Sequence, residues 1–329
     1  MAASSTINWR RLVTGFWMLN LVLGIAVLAA WQISSRTPPA IPTGSSTPQI
    51  AATTTPTMPS SQTPTPTRSN TTTETSTPTI TATSTGTPTE TMTPVPFWEG
   101  PLTIGRSVQN RPLEVYRFGF GQTNRLIVAG IHGGGEFNTI QLADQLIAYL
   151  QDHPEVIPAD ITLYILRDLN PDGEARAHGV QGRANANGVD LNRNWDANWQ
   201  IDWPRAGCWI YTPVTGGPRA GSEPETQALM KFILGHNIDA IINYHSAALG
   251  VFAGGLPPDD KSIRLAKAIA AVSTYQYPPV NTGCDYTGGF IDWADIHGAA
   301  AVDLELTNHT DTDFEMNLRV LNIFLNWKR

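Results

Sequence analysis

A histidine, three glycines and a glutamate stand together in IHGGGE, Ile131 to Glu136, directly after an apolar run. Imidazole nitrogen and carboxylate oxygen are zinc donors. A catalytic zinc site takes three protein ligands and keeps one position open for water. His132 and Glu136 offer two such ligands. His245, in NYHS, is the best candidate for the third, because among the other histidines it alone closes an apolar strand-like run. A phosphate cradle is excluded, since no G-x-x-x-x-G-K-[ST] occurs. A serine-hydrolase elbow is excluded as well, for want of G-x-S-x-G. Taken alone, a His and a Glu flanking glycines are more often a turn than a site, so the metal reading depends on the rest of the chain.

The elements that would position these residues follow from the pattern of apolar runs. RLIVAGI (Arg125 to Ile131) precedes an amphipathic stretch, TIQLADQLIAYLQDH. ITLYIL (Ile161 to Leu166) ends near the turn signal NPDG. A helical stretch from SEPETQALMKFILGH leads into DAIINYH, Asp239 to His245. Another, around KSIRLAKAIAAVSTY, precedes AAAVDLEL, Ala299 to Leu306, and MNLRVLNIFLNWKR reads as a closing helix. Strands alternating with helices predict an α/β fold, a mainly parallel or mixed central sheet with helices on both faces. His132 then falls just past one strand, His245 ends a second, and Glu305 lies near the end of a third. Open α/β sheets bind ligands beyond the carboxyl ends of their strands. Glu305 in VDLELT lies on an apolar strand, where an unpaired carboxylate is costly; a strand-end cap at the surface is the alternative.

Further segments follow in order: NPDG at Asn170, GRANANGVDLNRNW from Gly182 to Trp195, SEPET at Ser222, YHS at Tyr244, GGFIDW at Gly288 and DLELT at Asp303. This series resembles the zinc metallocarboxypeptidases of the carboxypeptidase A type. IGRSVQNRPLEVYRFG, Ile104 to Gly119, is similar to that family's opening strand region, so the likeness runs from about residue 100 to 329. The resemblance implies that His132, Glu136 and His245 bind one zinc ion (Zn2+) per chain. It implies that Glu305 is the general base and Arg183 the group stabilising the oxyanion. Asn192 and Arg193 would grip the terminal carboxylate of a peptide substrate, a task suited to the bidentate guanidinium. Asp190 would orient a zinc-binding imidazole from behind.

Two departures stand out. The family's first motif is H-x-x-E, whereas His132 and Glu136 are one residue further apart. The three glycines are expected to absorb the extra residue, since glycine adopts backbone conformations closed to other residues; weakened or lost zinc binding is the alternative. The family's mobile tyrosine has no direct match: counting back from GGFIDW lands on Cys284, and Tyr286 is nominated instead. Ile291 falls where the family sets side-chain preference, which implies apolar or aromatic C-terminal residues. His153, His178, His236, His297 and His309 are expected to be solvent-exposed or to pack in the core.

The remaining sequence suggests an exported protein. Residues 12–33, LVTGFWMLNLVLGIAVLAAWQI, are long enough to span a bilayer, and Arg10 and Arg11 place residues 1–11 in the cytoplasm. A cleaved signal peptide is the competing reading. Residues 34–96, rich in Thr, Ser and Pro, read as a disordered stalk. Residues 97–329 form the catalytic domain. Cys208 and Cys284 are either a disulfide or two separate thiols. A formal net charge of −7 without Lys/Arg clusters argues against nucleic acid as a partner. The expectation is a membrane-anchored zinc carboxypeptidase with an extracellular catalytic domain. The alternatives are an amidase acting on cell-wall muropeptides and a zinc-free peptide-binding module.

Overall fold

The computed structural model describes residues 96–210 and 212–329. The predicted N-terminal segment, the anchor over residues 12–33 and the stalk up to residue 95 lie outside the described residues. Among the described residues no helix is long and apolar enough to cross a membrane.

Seven strands of the described residues build one sheet: β1 (Trp98–Arg106), β2 (Pro112–Phe118), β3 (Thr123–Val128), β4 (Ile161–Leu166), β5 (Ile238–Ser246), β6 (Val251–Ala253) and β7 (Ala300–Leu306). Their order is β1-β2-β4-β3-β5-β7-β6. β3 runs parallel to β4 and β5, and β5 parallel to β7. The β1–β2, β2–β4 and β6–β7 pairs are antiparallel. The sheet is therefore mixed, parallel at its centre and antiparallel at its flanks. A short connection fixes the direction only at the β1–β2 edge; β2 and β4, and β6 and β7, are antiparallel despite long connections. A parallel pair needs a long crossover, whereas β1 and β2 are joined by a tight turn in which Ser107 N–H donates to Arg111 O at 2.8 Å.

The helices are α1 (Phe137–Asp152), α2 (Pro171–Arg176), α3 (Pro224–His236), α4 (Asp260–Ala270), α5 (Phe290–Ile296) and α6 (Phe314–Asn326). Successive residues of a strand point to opposite faces. Ile127 accordingly packs in one core with Leu146 of α1, Leu265 of α4 and Phe324 of α6. Leu126 and Val128 pack in the other with Leu229 of α3 and Phe290 of α5. Helices cover both faces, which is why β4 is buried along its whole length and reads as an unbroken apolar run. The central strands all end at one edge, and the chemistry-bearing residues gather there.

Candidate active site

Past Val128 the chain reaches His132 and makes a single 3-10 turn, Gly133–Glu136, before α1 begins. The turn folds Glu136 back so that its Oε1 lies 2.7 Å from His132 Nδ1. From the end of β5, His245 brings its Nδ1 to 3.0 Å from Glu136 Oε2. One donor atom from each of His132, Glu136 and His245 lies within 4.8 Å of the others, and all three residues are buried. The extra residue between His132 and Glu136 thus leaves the trio converged. Gly133 has φ +46°, a region that favours glycine. The other two glycines serve close approach: a Cβ at Gly134 would lie 2.0 Å from Ala177 O, and one at Gly135 would lie 3.0 Å from Arg183 Cα.

The far side of each imidazole meets a carboxylate. His132 Nε2 lies 3.1 Å from Asp190 Oδ1, and His245 Nε2 lies 3.5 Å from Asp303 Oδ1. A carboxylate on the outer nitrogen orients the ring and raises its basicity, directing Nδ1 to the ligand position. The residues present therefore fit zinc: two imidazoles presented through Nδ1, one carboxylate between them, and an anchored outer edge on both rings. The charges agree. Burial alone would raise the Glu136 carboxyl, but His132 and His245 hold it well below the usual carboxylate range. Burial would lower His245, but Asp303 and Glu136 hold its imidazole well above the ordinary value.

Arg183 sits over this trio. Its Nε donates to Asp190 Oδ2 at 2.9 Å, and its Nη1 lies 3.4 Å from Glu136 Oε1. Asn170 fixes the backbone below, donating from Nδ2 to Arg183 O at 3.0 Å while its Oδ1 accepts from Gly173 N–H. That pair of bonds accounts for the NPDG segment. Glu305 lies beside His245, its register partner on β7. Its Oε2 is buried without a hydrogen-bond partner among the described residues. Burial pushes the Glu305 carboxyl up to about 8 against the pull of His245.

A cavity of about 420 Å³ connects these groups. His132, Glu136, His245, Arg183 and Glu305 line it, as do Asn192, Arg193, Tyr286 and Ile291. Asp190 is fully buried behind the wall. Each residue given a site role from the sequence thus lines the cavity or, like Asp190, lies behind its wall. The expected Asn192–Arg193 pair divides its labour. Asn192 Oδ1 accepts from Phe290 N–H at 2.9 Å, and its Nδ2 donates to Asp303 Oδ2 at 3.3 Å, so its amide is engaged inside the protein. Arg193 is buried, donates to Asn192 O at 2.7 Å, and makes no salt bridge among the described residues, Asp190 and Asp303 acting on it only through their charge. Its Nε has no hydrogen-bond partner among the described residues either. Ile291 is buried at the cavity wall, and next to it Asp292 is pushed up to about 7 by burial.

Several members of the site are weakly marked in the sequence. Asp303 had a detectable signal: in DLE it stands two residues before Glu305, hence on the same face of the strand. Asn243, which donates to Asp303 Oδ1 at 2.7 Å, stands in the same relation to His245. His309 is exposed as expected, yet it lines the cavity with its Nδ1 3.1 Å from Ser246 Oγ. Trp203 carried no recognisable signal. Cys208 and Cys284, left open between disulfide and free thiols, are joined.

A buried His-Glu-His trio at the carboxyl edge of a mixed sheet, with a charged arginine beside it and a glutamate whose Oε2 has no hydrogen-bond partner among the described residues, is the arrangement of a metal-dependent hydrolase. The sequence profile of the zinc carboxypeptidases matches residues 100–323, and the chain belongs to that family. It is 28% identical to carboxypeptidase A2 of Rattus norvegicus over 224 residues, covering 59% of this chain and 53% of that protein. It is 29% identical over 204 residues to murein peptide amidase A of Escherichia coli strain K12, covering 59% of this chain and 76% of the relative. The chain therefore spans about half the length of the carboxypeptidase A2 it matches. Among solved structures, the murein-tripeptide amidase from Escherichia coli O157 aligns with TM-score 0.51 and 24% identity, over 71% of this chain and 94% of that one. Bovine thrombin-activatable fibrinolysis inhibitor, in complex with tick carboxypeptidase inhibitor, aligns with TM-score 0.54 and 18% identity over 68% and 87%. At these identities the solved structures speak for the fold alone.

Proposed function

We infer that this protein is a zinc-dependent carboxypeptidase that removes the last residue of peptides bearing a free C-terminal carboxylate. The observation that carries the reading is Arg193, a buried guanidinium that makes no salt bridge among the described residues, in the same cavity as His132, Glu136 and His245. A buried charge without a partner is costly unless a ligand completes it, and a carboxylate is the ligand whose geometry a guanidinium matches.

His132, Glu136 and His245 would hold zinc, which when bound supplies Lewis acidity to a carbonyl and to water. Arg193 receives the substrate's terminal carboxylate and so sets which peptide bond lies at the trio. Glu305, its carboxyl raised to about 8 by burial and its Oε2 without a hydrogen-bond partner among the described residues, takes a proton from the attacking water and delivers it to the leaving amine. Arg183, fixed by Asp190, places a positive charge where the carbonyl oxygen gains negative charge. Ile291 presents an apolar wall to the departing residue's side chain.

A second reading, hydrolysis of cell-wall peptides, is favoured by the extent of one likeness: the alignment spans 76% of murein peptide amidase A but 53% of carboxypeptidase A2. Both substrate classes present a free carboxylate to Arg193. Kinetics of the zinc-loaded protein on a blocked dipeptide, its C-terminal amide and a muropeptide test both readings. Preference for the acid over the amide supports the carboxylate reading, and the ratio between dipeptide and muropeptide decides between the two substrates. Equal turnover of acid and amide overturns both.

The catalytic domain is proposed to work outside the cytoplasm, tethered through residues 12–33. The apolar run, the Thr/Ser/Pro-rich segment behind it and the Cys208–Cys284 disulfide support this location. Protease protection of the C-terminal domain in intact cells contradicts it; digestion supports it.

A further inference from the structure

Arg193 is held in an unusual way for a buried cation. The rings of two aromatic residues from distant parts of the chain lie against its guanidinium, Trp203 at 5.1 Å and Tyr286 at 5.5 Å from ring centroid to Cζ. Guanidinium on an aromatic face is attractive, and more so where water is excluded. Trp203 is buried, and its indole Nε1 has no partner among the described residues. It is therefore the ring face, not the N–H, that has a contact to serve. Arg205 lies against the same ring at 3.9 Å and is itself fixed by Asp202 Oδ1 and Val214 O, each at 2.6 Å.

The two segments that carry these rings are joined covalently. Cys208, five residues after Trp203, is bonded to Cys284, two residues before Tyr286. Their backbones also touch, since a Cβ at Gly207 would lie 2.1 Å from Thr282 O. On the other side, Gly288 is pressed against Arg193 itself: a Cβ there would lie 2.2 Å from Arg193 O. Gly288 O accepts from Trp195 N–H, and Gly288 N–H donates to Ala197 O. The Tyr286 segment thus runs along the strand of chain that bears Arg193, and the disulfide ties its free end to the Trp203 segment.

We propose that Trp203 and Tyr286, locked together by the Cys208–Cys284 disulfide, form an aromatic clasp that positions Arg193 for the substrate's terminal carboxylate. Trp203 and the two cysteines are positioning residues: they touch the guanidinium or its supports, not the scissile bond. The clasp keeps the guanidinium desolvated and aimed into the cavity without a salt-bridge partner among the described residues, leaving for the substrate the donors not spent on Asn192 O. This rests on the carboxylate reading of Arg193 given above.

The test compares Trp203→Leu, Trp203→Phe and the double variant Cys208→Ala/Cys284→Ala with the parent, all zinc-loaded, on one peptide as free acid and as C-terminal amide. KM for the acid rises about tenfold in Trp203→Leu and in the cysteine-free variant, the loss of one desolvated cation–π contact. kcat changes much less, Trp203→Phe restores most of KM, and the acid-to-amide preference narrows. Should the cysteine-free variant fail to fold, Trp203→Leu against Trp203→Phe carries the comparison. An acid-to-amide preference undiminished in Trp203→Leu, with native circular dichroism and one zinc per chain, overturns the clasp while the carboxylate reading stands. A parent enzyme that ignores the difference between acid and amide overturns the carboxylate reading, and the clasp with it.

Discussion

His245 and Glu305 are register partners on the neighbouring parallel strands β5 and β7, so the proposed metal ligand and the proposed proton acceptor are placed side by side by sheet pairing alone. Adjacent residues on parallel strands share a face. The distance between the two functions is therefore built into the hydrogen-bonded ladder, not into a loop. Burial raises the Glu305 carboxyl; across this pairing His245 lowers it, and Glu136 and Asp303 raise it.

Separating these roles by mutation is straightforward. Glu305→Gln keeps the shape and removes the base, and kcat is expected to fall about a hundred- to ten-thousand-fold. Zinc content stays at one ion per chain, because Glu305 is not among the three converging donors. Loss of zinc in this variant, or retained turnover, contradicts the assignment.

Zinc affinity is expected to rise with pH. In the metal-free protein His245 is held protonated well above its ordinary range, and a metal must displace that proton before Nδ1 can bind. Competition with a chromophoric chelator between pH 5.5 and 8.5 measures the slope. Asp303→Asn, which removes one of the carboxylates that make the ring basic, flattens the slope and weakens binding about ten- to a hundred-fold. A pH-independent affinity contradicts the picture of a proton occupying the metal's place.

Asp292 gives a stability signature of opposite kind to a salt-bridged acid. Burial raises its carboxyl from 3.8 to about 7 in the folded protein. Below the unfolded value both states are protonated and nothing is lost. As pH climbs from about 4 to about 7 the unfolded chain ionises first, so the folded state loses stability, on the order of a few kcal/mol in all. Above about 7 the penalty is constant. Urea unfolding of the zinc-free protein over this range is expected to show a shallower decline in Asp292→Asn than in the parent. Identical slopes contradict the shift.

Glycines in the first motif are expected to be unequal to glycines elsewhere. A methyl group at Gly134 meets Ala177 O at 2.0 Å, so Gly134→Ala must push the turn aside and carry Glu136 with it. About 1–3 kcal/mol of stability is lost, together with zinc affinity. Gly188 has φ +76° but nothing within 4 Å of an added Cβ. Gly188→Ala costs about 1–2 kcal/mol from backbone strain alone and leaves zinc affinity intact. Thermal melts with and without zinc distinguish the two.

Much of this site was legible because strand ends advertise themselves. Apolar runs that stop at His132, His245 and Glu305 place three functional groups on one sheet edge before any coordinates are known. KSIRLAKAIA forms α4 and FEMNLRVLNIFLN forms α6, since both patterns repeat at helical period. β6 went unseen: three residues are too few to show a period. The antiparallel flanks were under-read because pairing direction depends on connection geometry, which composition does not encode. The aromatic clasp was invisible for a similar reason. Its disulfide joins cysteines 76 residues apart, and nothing local in Trp203 marks it as the partner of Arg193.

The most direct measurement is the mass spectrum of products released from an unblocked peptide by the zinc-loaded protein. Stepwise loss of single residues from the carboxyl end, abolished when the peptide is amidated, is the predicted result. Cleavage within the chain, or release from the amino end, would contradict the account of Arg193 and the trio working as one site.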